Sequence, residues 1–182
     1  MIAFDTGGIL HLLDPNANAA IDPSTNLAVT DCQKRMQFYV SEMHKKREKI
    51  LVPTPVLGEL LILASTDGPS IYSRLSKSAA FQIEPFDDRA AIELCLMTES
   101  ALKAGDRRAG STESMAKIKF DRQIIAIAKV HHARAIFSDD KNIRKFATAN
   151  GVNPIAIWEL PLPPVDAQTT LWEHLRDENE TK

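Results

Sequence analysis

The chain has 182 residues, 44% of them hydrophobic and 25% charged, with a formal net charge of −2 at pH 7. That length suits one domain with a sizeable core, and the near-neutral balance argues neither for nor against a polyanion partner, so any nucleic-acid surface must be local. The two cysteines, Cys32 and Cys95, form no C-x-x-C pair, so no zinc or redox site is signalled; both are expected as reduced, buried thiols of a cytoplasmic protein.

Met1 to Phe4 is a short apolar run ended by Asp5, which reads as a buried strand and interrupts any signal-peptide core. No run approaches the ~18 apolar residues of a membrane span. Gly7 and Gly8 precede the apolar Ile9, Leu10, Leu12 and Leu13. Residues 14–26, rich in Pro, Asn, Asp and Ala, read as a loop. Thr30 or Asp31 can cap a helix with Cys32, Met36, Tyr39, Val40 and Met43 on one face, ending in the charged run 45–49. A second strand is expected over 50–52, then a helix opened by Pro53 and Pro55 and carrying Glu59.

Further along, a helix is expected over 70–80, a third strand over 81–83, and a helix from the Asp87 cap to about Lys103 with Gly105 as its stop. Residues 105–114 are polar. A helix is expected over 120–132 and a strand over 135–137 leading into Ser138, Asp139 and Asp140. Next come a helix over 141–149 and a last strand over 155–158. Strands alternating with helices imply an α/β sandwich on a mainly parallel sheet. Residues 1–160 read as the domain, and 161–182 as a Pro-rich linker and short amphipathic tail with Leu171, Trp172 and Leu175 on one face.

In an open parallel sheet, ligands bind beyond the C-terminal strand ends. Asp5 ends the first strand, Asp139 and Asp140 follow a later one, and Glu59 and Asp121 stand near the starts of returning helices. Each has a bland explanation as a cap or dipole-matching charge. Gathered on one edge, they would repel one another unless a cation lay between them. Without Cys or His in the set, Mg²⁺ or Mn²⁺ suits them better than zinc, and phosphodiester hydrolysis is the chemistry that such a site performs.

Four pieces in order, Ile2-Ala3-Phe4-Asp5-Thr6, Val52-Pro53-Thr54-Pro55-Val56-Leu57-Gly58-Glu59-Leu60, Phe120-Asp121-Arg122-Gln123-Ile124-Ile125-Ala126 and Ala135-Ile136-Phe137-Ser138-Asp139-Asp140-Lys141, resemble the PIN-domain ribonucleases, the family of the VapC-like toxins. The resemblance implies a three-layer α/β/α sandwich with a mainly parallel central sheet and a Mg²⁺- or Mn²⁺-dependent endoribonuclease of single-stranded RNA. It also implies a homodimer and, for the toxins, an antitoxin partner. Asp5, Glu59 and Asp121 match three family acids. The fourth falls in Ser138-Asp139-Asp140, where the family pattern favours Asp140 and leaves Asp139 as a further metal-ligand candidate. Thr6 and Ser138 match substrate-positioning hydroxyls. Gly7-Gly8, the length of 14–49 and the tail depart from the family.

Asp5-Thr6-Gly7 also spells the aspartic-protease triplet, but that site needs two such aspartates on an all-β fold. An aspartyl-nucleophile phosphatase needs an acid where Gly7 stands. A PIN-like domain without activity, binding RNA or a protein, is the non-enzymatic alternative. Arg107, Arg108, Lys117 and Lys119 precede Asp121 and are candidates for phosphate contacts to RNA, while His11 and His44 show no partner pattern.

Overall fold

The computed structural model describes residues 1–14, 16–103, 105–108 and 110–164. Three short apolar runs, Ile2–Phe4 (β1), Ile50–Pro53 (β4) and Ala135–Phe137 (β6), are buried on both faces, as hydrophobic strands of a parallel sheet must be. With Phe81–Glu84 (β5) and Asn153–Ile155 (β7) they form a five-stranded parallel sheet in the order β5-β4-β1-β6-β7. In register, Ile2 lies beside both Ile50 and Ala135, and Phe4 beside Phe137. The rings of Phe4 and Phe137 stack with centroids 5.2 Å apart.

Helices flank this sheet: Thr6–Leu13 (α1), Cys32–Lys45 (α2), Thr54–Ala64 (α3), Gly68–Lys77 (α4), Asp88–Lys103 (α5), Met115–Val130 (α6) and Lys141–Ala149 (α7). α1 packs on α2, α5 on α6, and α6 on α7. The result is the three-layer α/β/α sandwich with a parallel central sheet that the sequence led us to expect. Among the described residues, no helix is long and apolar enough to cross a membrane.

The chain starts in the middle of the sheet at β1, moves out through β4 to β5, then crosses back through α5 and α6 to β6 on the other side. That reversal places a topological switch point at the C-terminal end of β1, the usual position of a ligand crevice in such sheets. α1 enters at this point. Asp5 caps it by accepting a bond from the Gly8 amide at 2.7 Å. A side chain at Gly8 would come within 2.6 Å of the Phe137 ring, so a glycine lets α1 start directly against the sheet.

Several boundaries differ from expectation. The segment read as a loop over 14–26 contains strand Ile21–Asp22 (β2), which pairs antiparallel with Leu27–Ala28 (β3) in a small separate hairpin. Asp31 stands at the start of α2 in the left-handed region, φ 54°, with its carboxylate on Lys34 rather than capping the helix. α6 begins at Met115, not near 120, because Ser114 caps it through the Lys117 amide. The last strand ends at Ile155, and 157–159 form a 3-10 turn. Cys32 is buried, but Cys95 is exposed on α5; both are free. Leu171, Trp172 and Leu175 lie outside the described residues.

Candidate active site

A parallel sheet presents all its strand C-termini along one edge. There a cleft of about 750 Å³ opens, lined by Asp5, Glu59, Asp121, Asp139 and Asp140. The fold thus brings to one place all five acids singled out in the sequence. Thr6, Gly7 and Thr54 also line the cleft, with an apolar wall that includes Pro55, Ile62, Phe120 and Ile124. Two of the acids sit deeper in their helices than the sequence suggests. Glu59 is in the middle of α3, and Asp121 is nearly two turns into α6.

Asp5, 6% exposed, is the anchor of the site. Its Oδ1 accepts from the Gly8 amide and its Oδ2 from the Ser138 hydroxyl. Burial dominates its acidity: the Ser138 and Gly8 bonds lower the pKa and the charges of Asp139 and Asp140 raise it, but the net effect is a carboxyl pushed up to about 7. Ser138, fully buried, also accepts the Asp140 amide at 3.1 Å, so one hydroxyl ties the end of β1 to the start of α7. Glu59 is exposed and receives the Thr6 hydroxyl.

Asp121 is 4% exposed, and burial pushes it up to about 6 against the pull of Lys117. Asp140 Oδ1 caps α7 through the Asn142 and Ile143 amides at 2.7 and 3.1 Å. Burial would raise its pKa, but Lys117 and these amides outweigh burial and hold Asp140 below its ordinary value. Lys117 Nζ lies 3.2 and 3.4 Å from the Asp121 oxygens and 2.9 Å from Asp140 Oδ2. An ammonium thus stands between two of the acids.

Asp139 also lines the cleft, but both its oxygens are committed. Oδ1 accepts from the Ile157 amide at 2.8 Å, and Oδ2 faces His11 Nε2 at 3.1 Å. His11, 6% exposed, therefore has a partner that its sequence neighbours could not reveal. Asp140, by contrast, already turns an oxygen toward a cation.

The carboxylates that line the cleft and could face a cation are Asp5, Glu59, Asp121, Asp139 and Asp140. All donors are oxygens, as Mg²⁺ and Mn²⁺ prefer. Among the described residues, no three His, Cys, Asp or Glu side chains close around a common point tightly enough to enclose an ion. Mg²⁺ keeps several of its waters and needs only one or two carboxylates, so an open set is compatible with it, and the Lys117 ammonium marks a position where positive charge is stable.

The four basic candidates border three neighbouring cavities. Lys117 is in the acid cleft. Arg107 and Lys119, both exposed, border a groove beside α5 that Ala91, Leu94 and Thr98 also line. Arg108 borders a small cavity with Ser111, Asn142 and Phe146. Arg122, next to Asp121, is buried over the Phe146 ring at 4.8 Å and donates to the Arg107 carbonyl at 2.8 Å, so it anchors the preceding loop.

The three-layer α/β/α sandwich around a parallel central sheet is PIN-like in fold. No family model matches the chain, and no curated protein matches its sequence. In three dimensions the chain is similar to a chain of VapBC2 from Rickettsia felis, in a crystal structure with a DNA fragment from their promoter. The TM-score is 0.54 at 12% identity, and the match covers 86% of this chain and 98% of that one. At that identity the likeness is one of fold.

Proposed function

We propose that this protein is a Mg²⁺- or Mn²⁺-dependent endoribonuclease that cuts single-stranded RNA, acting in the cytoplasm as the toxin of a toxin–antitoxin pair. The observation that carries the reading is the cleft itself. Asp5, Glu59, Asp121 and Asp140 come from four separate elements to one edge, and two of them are buried with their acidity suppressed. A fold places carboxylates so at a cost in stability, and such placement is characteristic of functional sites. The likeness to VapBC2 supports the toxin assignment and an antitoxin protein as partner; a homodimer is the assembly that the family resemblance implies.

Divalent metal, when bound, supplies Lewis acidity toward the phosphodiester and lowers the pKa of an attacking water. The chain's own residues prepare the site. Ser138 and the Gly8 amide fix the Asp5 carboxylate, and the α7 amides fix Asp140. Thr6 orients Glu59. Pro55, Phe120 and Ile124 form an apolar wall beside the acids. Gly7 leaves the floor open beside Asp5.

One observation favours a second reading. Because Lys117 neutralises part of the acid cluster without metal, the domain could serve as an inactive module that binds RNA or a protein. Mass-mapped cleavage of total cellular RNA by purified protein decides between them. Discrete new ends in Mn²⁺ that vanish in EDTA are expected. RNA that is bound but uncut in both conditions would establish the module instead.

A further inference from the structure

Lys117 contacts Asp121 one helical turn further along α6, and that contact alone would be an ordinary i,i+4 surface pair. Two features set it apart. Its acid partner is buried, and the same ammonium reaches Asp140 on a different element, at 2.9 Å. Lys117 is also the one Lys or Arg among the described residues that line the cleft. An ammonium about 3 Å from both carboxylates fills the space that a hydrated cation between them would need, so the two exclude each other. The Lys117 side chain is 39% exposed, and its flexible four-carbon stem can withdraw to solvent without moving the backbone.

We propose that Lys117 is a built-in counter-ion of the cleft. Its ammonium holds Asp121 and Asp140 together in the metal-free protein and yields its place to the divalent cation, so it sets the metal concentration at which the cleft loads. This rests on the nuclease reading above, since it takes the acids to be metal ligands. Lys117 is a positioning residue here, acting on the carboxylates.

The test is Mn²⁺ titration by calorimetry into metal-stripped wild type, Lys117→Met, Lys117→Gln and Lys117→Arg, with melting curves in EDTA and in Mn²⁺. Removing a competing charge at this distance is expected to tighten Mn²⁺ binding by about tenfold or more in the Met and Gln variants. Lys117→Arg keeps the charge and should stay close to wild type. The neutral variants should melt lower than wild type in EDTA and gain more from Mn²⁺, because tighter binding to the folded state raises the melting temperature further. Wild type that binds Mn²⁺ while the neutral variants bind no more tightly would overturn the inference and leave the nuclease reading standing. Binding by the neutral variants but not by wild type would support the inference and remove the nuclease reading for the native chain. No binding by any of them would overturn both. Failure of both neutral variants to fold even in Mn²⁺ would also overturn the inference, since the metal is expected to replace the ammonium.

Discussion

The two ends of β1 treat a carboxylate in opposite ways. At the N-terminal end, Glu48 receives the Met1 ammonium at 3.1 Å and Arg134 Nη2 at 2.7 Å. Chiefly through Arg134, it is held down to about 2. At the other end of the same strand, Asp5 meets only a hydroxyl and an amide and is pushed up to about 7. One end of the sheet uses its charges to hold the fold together; the other keeps charges that the fold would be more stable without. That contrast separates a structural ion pair from the metal site we propose.

The sharpest way to break the comparison is to neutralise each end. Asp5→Asn or Asp121→Asn should cut RNA cleavage by about 10³-fold or more, since metal charge stabilisation is worth several kcal/mol. Both should keep the fold. Glu48→Gln should do the reverse: cleavage per folded molecule changes little, while urea unfolding shows a loss of up to about 1 kcal/mol, the scale of a solvent-screened ion pair.

The pH dependence should also have opposite signs at the two ends. Asp5 rises from 3.8 to about 7 and Asp121 to about 6, so the fold favours their protonated forms. Their contribution is complete below about pH 4 and is lost progressively as pH rises from there through 6 to 7. Glu48 falls from 4.5 to about 2, so its contribution is present above pH 4.5 and lost as pH falls toward 2. Denaturant melts in EDTA across pH 3–8 measure both. In Asp5→Asn the loss above pH 6 should shrink, and an undiminished loss would assign it elsewhere.

A smaller effect is expected at Ser138, which touches Asp5 and the Asp140 amide. Ser138→Ala should weaken Mn²⁺ binding by about 10- to 100-fold, the usual loss when a supporting hydrogen bond to a ligand is removed. The smallest effect concerns Arg107 and Lys119, which border a groove away from the acids. If RNA crosses that groove, replacing both with Ala in an Asp5→Asn background should lower the salt slope of single-stranded RNA affinity by about 0.7 for each phosphate no longer held. An unchanged slope would put the RNA path elsewhere.

The strands that build the acid edge were legible because each is a short apolar run ending in a polar residue: Ile2–Phe4 before Asp5, and Ala135–Phe137 before Ser138. Order along the chain then named the acids. What escaped depends on contacts that order does not encode. The β2–β3 hairpin has two-residue strands with Ile21 and Leu27 exposed, too short for any period to show. The start of α6 was hidden because Lys117 and Lys119 look like loop residues until Ser114 caps the turn beneath them. His11 and Asp139 are 128 residues apart, and the geometry that turns Lys117 from a surface charge into a neighbour of Asp140 exists only after α6 and α7 have packed.

Whether the acid end of the sheet is a metal-dependent RNA-cutting site comes down to one rate. It is the cleavage rate of a fluorescent single-stranded RNA as Mn²⁺ is titrated into metal-stripped protein, for wild type and Asp121→Asn. A saturating rise is expected for wild type and a flat line for the variant. A wild-type rate that never rises, or a variant that rises with it, would rule out a metal site built on these acids.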